Sequence, residues 1–107
     1  MPSGKAVPKR KKVRLPLQSD YTKQFEKDFQ RLSRSGKYNM ARLKAVMLLL
    51  IANDSPLGAE WLDHSLKGDW ADHQECHVGG DFLLIYQKDE EKIVFVRTGS
   101  HADLFEN

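Results

Sequence analysis

Cysteine is nearly absent from this chain. Cys76 stands alone, so no internal disulfide can form. A reducing cytoplasm is the simplest home for such a sequence. Long apolar runs are missing as well. The best candidate, Ala45 to Ala52, is far shorter than the roughly 18 residues a membrane span needs. The basic start is followed by Leu15-Pro16-Leu17-Gln18 rather than an apolar h-region, so secretory targeting is not expected. Acid is missing from the first 14 residues, which hold Lys5, Lys9, Arg10, Lys11, Lys12 and Arg14. The net charge is +2, so the rest of the chain is acidic by four. A basic arm on an acidic body attracts polyanions by neutralising phosphates. The same composition serves equally as a solubilising leader.

What remains is one domain's worth of chain, 107 residues, with 40% hydrophobic residues. Residues 1–12 are rich in Lys, Pro and Gly and read as a flexible basic arm; residues 13–107 read as a single domain. Val13 to Gln18 suggests a short strand, with Pro16 restricting it to an edge. Ser19 or Asp20 can cap a helix that starts near Tyr21, because Tyr21, Phe25, Phe29 and Leu32 form an apolar stripe at helical spacing. Lys23, Lys27, Arg31 and Arg34 repeat on a neighbouring stripe, which is ordinarily a solvated face. A second helix is predicted from Asn39 to Asn53, burying Met40, Leu43, Val46, Met47, Leu50 and Ile51.

An irregular connection carrying Trp61 and Trp70 comes next. Three strands follow, at His73–Val78, Phe82–Tyr86 and Ile93–Arg97, with turns at Gly79-Gly80-Asp81 and Asp89-Glu90-Glu91. The middle strand is apolar throughout, as one buried on both faces would be. Thr98-Gly99 is read as the break of the last strand, and Ser100 with Asp103 as a capping box for a terminal helical turn. The order predicts an α+β fold, a small, mainly antiparallel sheet packed on two N-terminal helices.

Strand alternation then sorts side chains by face. Cys76 and Val78 point to the core, and Glu75 and His77 to the open face. Arg97 shares parity with Ile93 and Phe95, but Val94 and Val96 are apolar too, so parity does not assign it. His73-x-x-x-His77 beside Cys76 is a conceivable zinc spacing. A strand would put Cys76 on the face opposite both histidines, so no metal is expected.

Three segments carry a resemblance. They are Asp63-His64-Ser65-Leu66-Lys67-Gly68-Asp69-Trp70, Cys76-His77-Val78-Gly79-Gly80-Asp81-Phe82-Leu83-Leu84-Ile85-Tyr86, and Arg97-Thr98-Gly99-Ser100-His101-Ala102-Asp103-Leu104-Phe105. Together they resemble the YafQ-type branch of the RelE/ParE toxin superfamily, over about residues 15–106. The resemblance implies a toxin of a type II toxin–antitoxin module that cuts messenger RNA on the ribosome. It also implies a twisted sheet backed by two helices. His64, His77, Asp81, Arg97 and His101 match the family's catalytic set, and Phe105 a functional aromatic. Glu75 falls where a relative has an acid, and Phe82 replaces a tryptophan. The implied partners are a cognate antitoxin, the 70S ribosome and mRNA, with the free toxin a monomer and no cofactor. Lys23, Lys27 and Arg31 would then contact RNA.

RNA carries its own nucleophile, the 2′-hydroxyl, so such an enzyme needs only to move protons and steady phosphoryl charge. Imidazole, with a free pKa of ~6.5, suits the first task. Guanidinium suits the second. His101 is expected as general acid, Asp81 or His77 as base or orienting group, Arg97 as phosphate clamp, His64 as a phosphate or orienting contact, and Phe105 as a stacking surface. A ParE-like toxin that binds DNA gyrase would share the fold without needing the histidines.

Overall fold

The computed structural model describes residues 14–106. The proposed basic arm, and Val13 of the first predicted strand, lie outside that range. The elements run β1 (Gln18–Tyr21), α1 (Lys23–Ser35), α2 (Met40–Ala52), β2 (His64–Ser65), β3 (Gln74–Gly79), β4 (Phe82–Lys88), β5 (Lys92–Gly99) and α3 (His101–Phe105). Single 3-10 turns at Ala59–Trp61 and Gly68–Trp70 punctuate the long connection. The strands form one sheet in the order β1-β5-β4-β3-β2. Among the described residues only the β1–β5 pair is parallel, so the sheet is mainly antiparallel, as predicted.

Both helices end where local chemistry requires. The Asn39 side chain accepts from the Arg42 N–H at 3.0 Å and caps α2. Asn53 closes it at φ 57°, its N–H donating to Leu49 O. These are the two bounds the sequence suggested. α1 differs. Its cap is Thr22, whose hydroxyl accepts from Phe25 N–H at 2.9 Å, while Ser19 and Asp20 lie in β1. Tyr21 is therefore a strand residue, and it is 54% exposed instead of sharing the α1 stripe with Phe25 and Leu32. Competition from the sheet explains the difference: Thr22 N–H donates to Phe95 O and its hydroxyl to Val96 O, so β5 takes the chain as far as Thr22.

β1 starts at Gln18, and residues 14–17 of the predicted strand lie ahead of it. Leu17 N–H donates to Ile51 O, which ties the entry to the end of α2, and only then does Gln18 N–H reach β5 at Glu91 O. Pro16 falls before the strand, consistent with its missing donor.

α1 and α2 pack on one face of the sheet. Phe25, Leu32, Leu43, Val46, Cys76, Val78, Leu84, Tyr86, Ile93 and Phe95 meet there. Each fully buried large side chain contributes about 1.5–3 kcal/mol from area removed from water. β4 is buried on both faces: Leu84 and Tyr86 belong to the helix side, and Leu83 and Ile85 to a second cluster closed by Leu104, Leu66, Trp70 and Val96. The face opposite the helices is thus only partly open.

The last strand does not break at Thr98-Gly99 but runs through Gly99. Gly99 has φ 153°, and a Cβ there would stand 2.8 Å from Asp103 Oδ2. Gly99→Ala is expected to destabilise the protein by about 1–3 kcal/mol, read as a lowered urea midpoint with an unchanged m-value.

Candidate functional site

The cross-strand register builds the site. His64 lies opposite Glu75, Glu75 opposite Ile85, and Ile85 opposite Arg97. These four residues form a row across β2, β3, β4 and β5. A neighbouring row runs His77, Leu83, Gly99. Leu83 and Ile85 are buried and supply an apolar floor between the polar residues. The alternation of β3 puts Glu75 and His77 opposite Cys76 and Val78, which are in the helix-side core. The sequence places His64 in an irregular connection; it lies instead in β2, and two residues carry too little pattern to mark a strand.

Three imidazoles stand in series. The rings of His64 and His77 are 6.0 Å apart, those of His77 and His101 6.4 Å, and His101 lies 6.0 Å from Phe105. Phe105 in turn meets Trp70 edge-on at 6.1 Å, so an aromatic wall borders the cluster. Phe105 is 39% exposed and presents ring surface to solvent.

His101 is held by Asp81. Asp81 Oδ1 accepts from the His101 backbone N–H at 2.9 Å and from its Nδ1 at 2.8 Å. Those two bonds, the backbone one first, hold the Asp81 carboxyl below the usual carboxylate range. An ionised carboxylate can only accept, so Nδ1 carries the proton and Nε2 is the outward-facing nitrogen. The Gly79-Gly80-Asp81 turn and the start of α3 are thereby locked together. The Ser100–Asp103 capping box completes that end: Asp103 N–H donates to the Ser100 hydroxyl, and Ser100 N–H to Asp103.

His64 and Glu75 form a second pair. Leu62 O accepts from His64 Nδ1 at 2.8 Å. His64 Nε2 lies 3.2 Å from Glu75 Oε1, and His77 Nε2 lies 3.8 Å from the same oxygen. Glu75 is 3% exposed, and its Oε2 has no hydrogen-bond partner among the described residues.

Arg97 is placed by a bulge. Phe95 pairs with Tyr86 and Arg97 with Ile85, so Val96 is an extra residue and alternation is interrupted there. The guanidinium runs at the edge of β5 to Asp28 on α1. Nε donates to Asp28 Oδ2 at 2.8 Å and Nη2 to Oδ1 at 3.1 Å. Thr98 N–H, Gln24 and Arg31 also donate to this buried carboxylate. Burial pushes the Asp28 carboxyl up, but the bonds from Arg97, Thr98 and Gln24 outweigh it and hold it low. Asp28 in turn raises Arg97. Arg97 thus shares the cross-strand row of His64 and Glu75, while its guanidinium is tied to Asp28 on α1.

Asp28 is absent from the motifs of the sequence that point to a site. The signal was there: Phe25, Asp28 and Leu32 share one helical face, and an acid on a core-facing stripe needs a partner. Arg31 bridges Asp28 and Asp103 at 3.3 and 3.4 Å, joining α1 to α3. Lys23 and Lys27 stand exposed on α1. The conceivable zinc group of His73, Cys76 and His77 does not assemble, since Cys76 is in the core and burial first, then Asp63 and Glu75, push its thiol up to about 12.

Asp28, Asp81, Asp89 and Asp103 are all held low, so each binds its proton more weakly folded than unfolded. Their stabilising effect is complete above the unfolded carboxylate range and is lost as pH falls through it and below. Urea unfolding between about pH 6 and pH 3 is expected to show falling stability, with a shallower fall in Asp28→Asn.

The fold and this face define a small α+β domain of RelE-like architecture, with an imidazole–carboxylate surface opposite its helices. Residues 17–106 match the family described as "Bacterial toxin of type II toxin-antitoxin system, YafQ". The chain belongs to that YafQ family. It is 41% identical over 86 residues to the mRNA interferase toxin YafQ of Escherichia coli strain K12, covering 80% of this chain and 92% of that protein. The toxin chain of the E. coli DinJ–YafQ toxin–antitoxin complex superposes with a TM-score of 0.76 at 38% identity, over 85% of this chain and 99% of that one. A metal-bound toxin from Helicobacter pylori gives a TM-score of 0.73 at 37% identity, over 83% and 99%.

Proposed function

We propose that this chain is the toxin of a type II toxin–antitoxin module and acts as an endoribonuclease on translated messenger RNA. The observation that carries the reading is the His101 Nδ1–Asp81 contact at 2.8 Å, which leaves Nε2 facing outward beside the His77 ring. The 2′-oxygen attacks the adjacent phosphorus, and the bond to the 5′-oxygen breaks. His101, as the imidazolium with a second proton on Nε2, gives that Nε2 proton to the leaving oxygen. Asp81 orients His101, which leaves His77 as the group that takes the 2′-hydroxyl proton. His64, backed by Glu75, contacts the phosphate. Arg97 steadies the phosphoryl oxygens through the edge of a guanidinium held rigid by Asp28. Phe105 stacks on an unpaired base.

A shallow surface of this kind touches few nucleotides. Presentation of the codon by the 70S ribosome compensates for that, and the exposed Lys23, Lys27 and Arg31 on α1 meet ribosomal RNA phosphates. The relative's complex with DinJ supports a cognate antitoxin as partner, which covers the cleavage face. The domain spans residues 13–107, with residues 1–12 as an appended arm.

Primer-extension mapping of mRNA ends in a translating extract tests this reading. New ends are expected only with the unaltered protein and only on translated messages. Equal toxicity of His101→Ala, with no new ends from either protein, would instead favour a ParE-like inhibitor of gyrase.

A further inference from the structure

We propose that the cleft beside the Gly79-Gly80-Asp81 turn binds the nucleotide on the 3′ side of the cut, its base against Tyr38 and its 3′-phosphate on Arg42 and Lys37. The assignment to the cleaved strand rests on the function proposed above; the affinity for a nucleoside 3′-phosphate does not.

The cleft has a volume of about 460 Å³. The α1–α2 join, the first turn of α2 and the β3–β4 turn line it, with Lys37, Tyr38, Arg42, Gly79, Gly80 and Asp81 at its walls. Arg42 is held in place without being neutralised. Its Nε donates to Val78 O at 2.6 Å, and its guanidinium carbon lies 4.1 Å from the centre of the Trp61 ring. Ion pairs among the described residues use Arg31, Arg97 and three histidines, and none involves Arg42 or Lys37. A guanidinium fixed through Nε and one face keeps its Nη donors for an anion, and phosphate matches that planar fork. Tyr38 meets Phe82 edge-on at 4.9 Å, which fixes its ring as an aromatic wall. The tip of the turn is bare: a Cβ at Gly80 would meet nothing within 4 Å. A polynucleotide strand can therefore lie close against the backbone there.

Asp81 decides which nucleotide fits. It lines the cleft, and its Oδ1 holds His101, the group that serves the leaving 5′-oxygen. His77, on the side of the attacking 2′-oxygen, does not line it. A strand lying across the turn thus enters the cleft with the residue that carries the leaving oxygen. Cleavage leaves that residue with a free 5′-hydroxyl, so the phosphate it still carries is the 3′ one. Arg42 and Lys37 meet that phosphate, one step beyond the broken bond. The acid at the wall, Asp81, is already committed to His101 and leaves the two cations to set the local charge.

The isotope-labelled full-length protein is titrated with adenosine 3′-monophosphate, with adenosine and with inorganic phosphate, following amide NMR signals. One nucleotide per chain is expected, with shifts centred on Lys37–Arg42 and Gly79–Phe82, and weaker binding of adenosine or phosphate alone. Arg42→Gln should weaken the nucleotide at least about tenfold, the usual share of a hydrogen bond to a charged group. Gly80 has no positive φ and has open space for a side chain, so Gly80→Glu retains the fold and sets a carboxylate at the rim. It should weaken the nucleotide comparably, and it decides the matter if Arg42→Gln does not fold; a thermal melt checks each. On ribosomes, a message ending one nucleotide beyond the mapped cut should be cleaved about tenfold faster with a 3′-phosphate than with a 3′-hydroxyl. Gly80→Glu should erase that difference. Nucleotide binding that spares both segments, or is unchanged in Gly80→Glu, overturns the site. Phosphate bound as tightly as the nucleotide overturns the contact with the base. Equal cleavage of the two messages overturns the assignment to the 3′ side. Nucleotide binding in the cleft of a protein that cleaves no RNA upholds the site and overturns the function proposed above.

Discussion

Asp28→Ala is expected to lower the unfolding free energy by about 3 kcal/mol, the largest loss from any one substitution at this surface. The carboxylate is 1% exposed and accepts from five donors, among them the Arg97 fork and the Thr98 N–H. Removing it strands a guanidinium and a buried backbone N–H together. The lower end of the range for a broken buried pair applies because Arg97 keeps 23% of its side chain in water and can turn outward. Asp28→Asn retains shape and some donors' partners, so its loss should be roughly 1–2 kcal/mol. Urea denaturation of the three proteins at neutral pH measures both. An Asp28→Ala protein as stable as its parent would show that the network contributes nothing net. Because the same residue fixes the guanidinium, cleavage by Asp28→Asn should fall even where the protein is fully folded.

His101→Ala is expected to cut the cleavage rate by about 10²–10⁴, the ordinary contribution of a positioned acid or base. The effect should fall on kcat more than on KM, since the proton moves only in the transition state. Asp81→Asn should lose less: the side chain can still accept from the ring, but without its full charge. One limb of the pH–rate profile should vanish in His101→Ala and persist in Asp81→Asn. Stability gives an internal control. His101 is 54% exposed and its loss should shift unfolding little.

Much of this architecture is legible where local chemistry and pattern agree. Asn39 and Asn53 bracket α2 because each suits a cap, and the intervening apolar period leaves few other starts. Glu75 and His77 are assigned to the face opposite Cys76 and Val78 by alternation alone, and the register of β3 agrees. Phe82–Tyr86 is recognisable as central because a strand covered on both sides has no need to alternate.

The rest depends on long-range competition. β1 is defined by a parallel partner 74 positions away in register, Gln18 to Lys92, and nothing near Gln18 announces it. The bulge at Val96 undoes the parity that would otherwise have grouped Arg97 with Ile93 and Phe95. His64 becomes a strand residue only because Glu75 is available to pair with. At the site, the residue types came from the resemblance to the toxin family. The sequence left open whether Asp81 was a base or an orienting group, and the contact with His101 favours orientation. Asp28 is the main omission: its role as the anchor of Arg97 requires knowing that α1 crosses the edge of β5.

The nucleophile can be tested by removing it from the RNA. A message is prepared with a single 2′-deoxynucleotide on the 5′ side of the mapped cut, loaded on ribosomes, and treated with the unaltered protein. That bond is expected to survive while the all-ribose message is cut there. Scission of the deoxy-substituted bond at the same rate would contradict it, because the attacking oxygen would then have to come from somewhere other than the RNA.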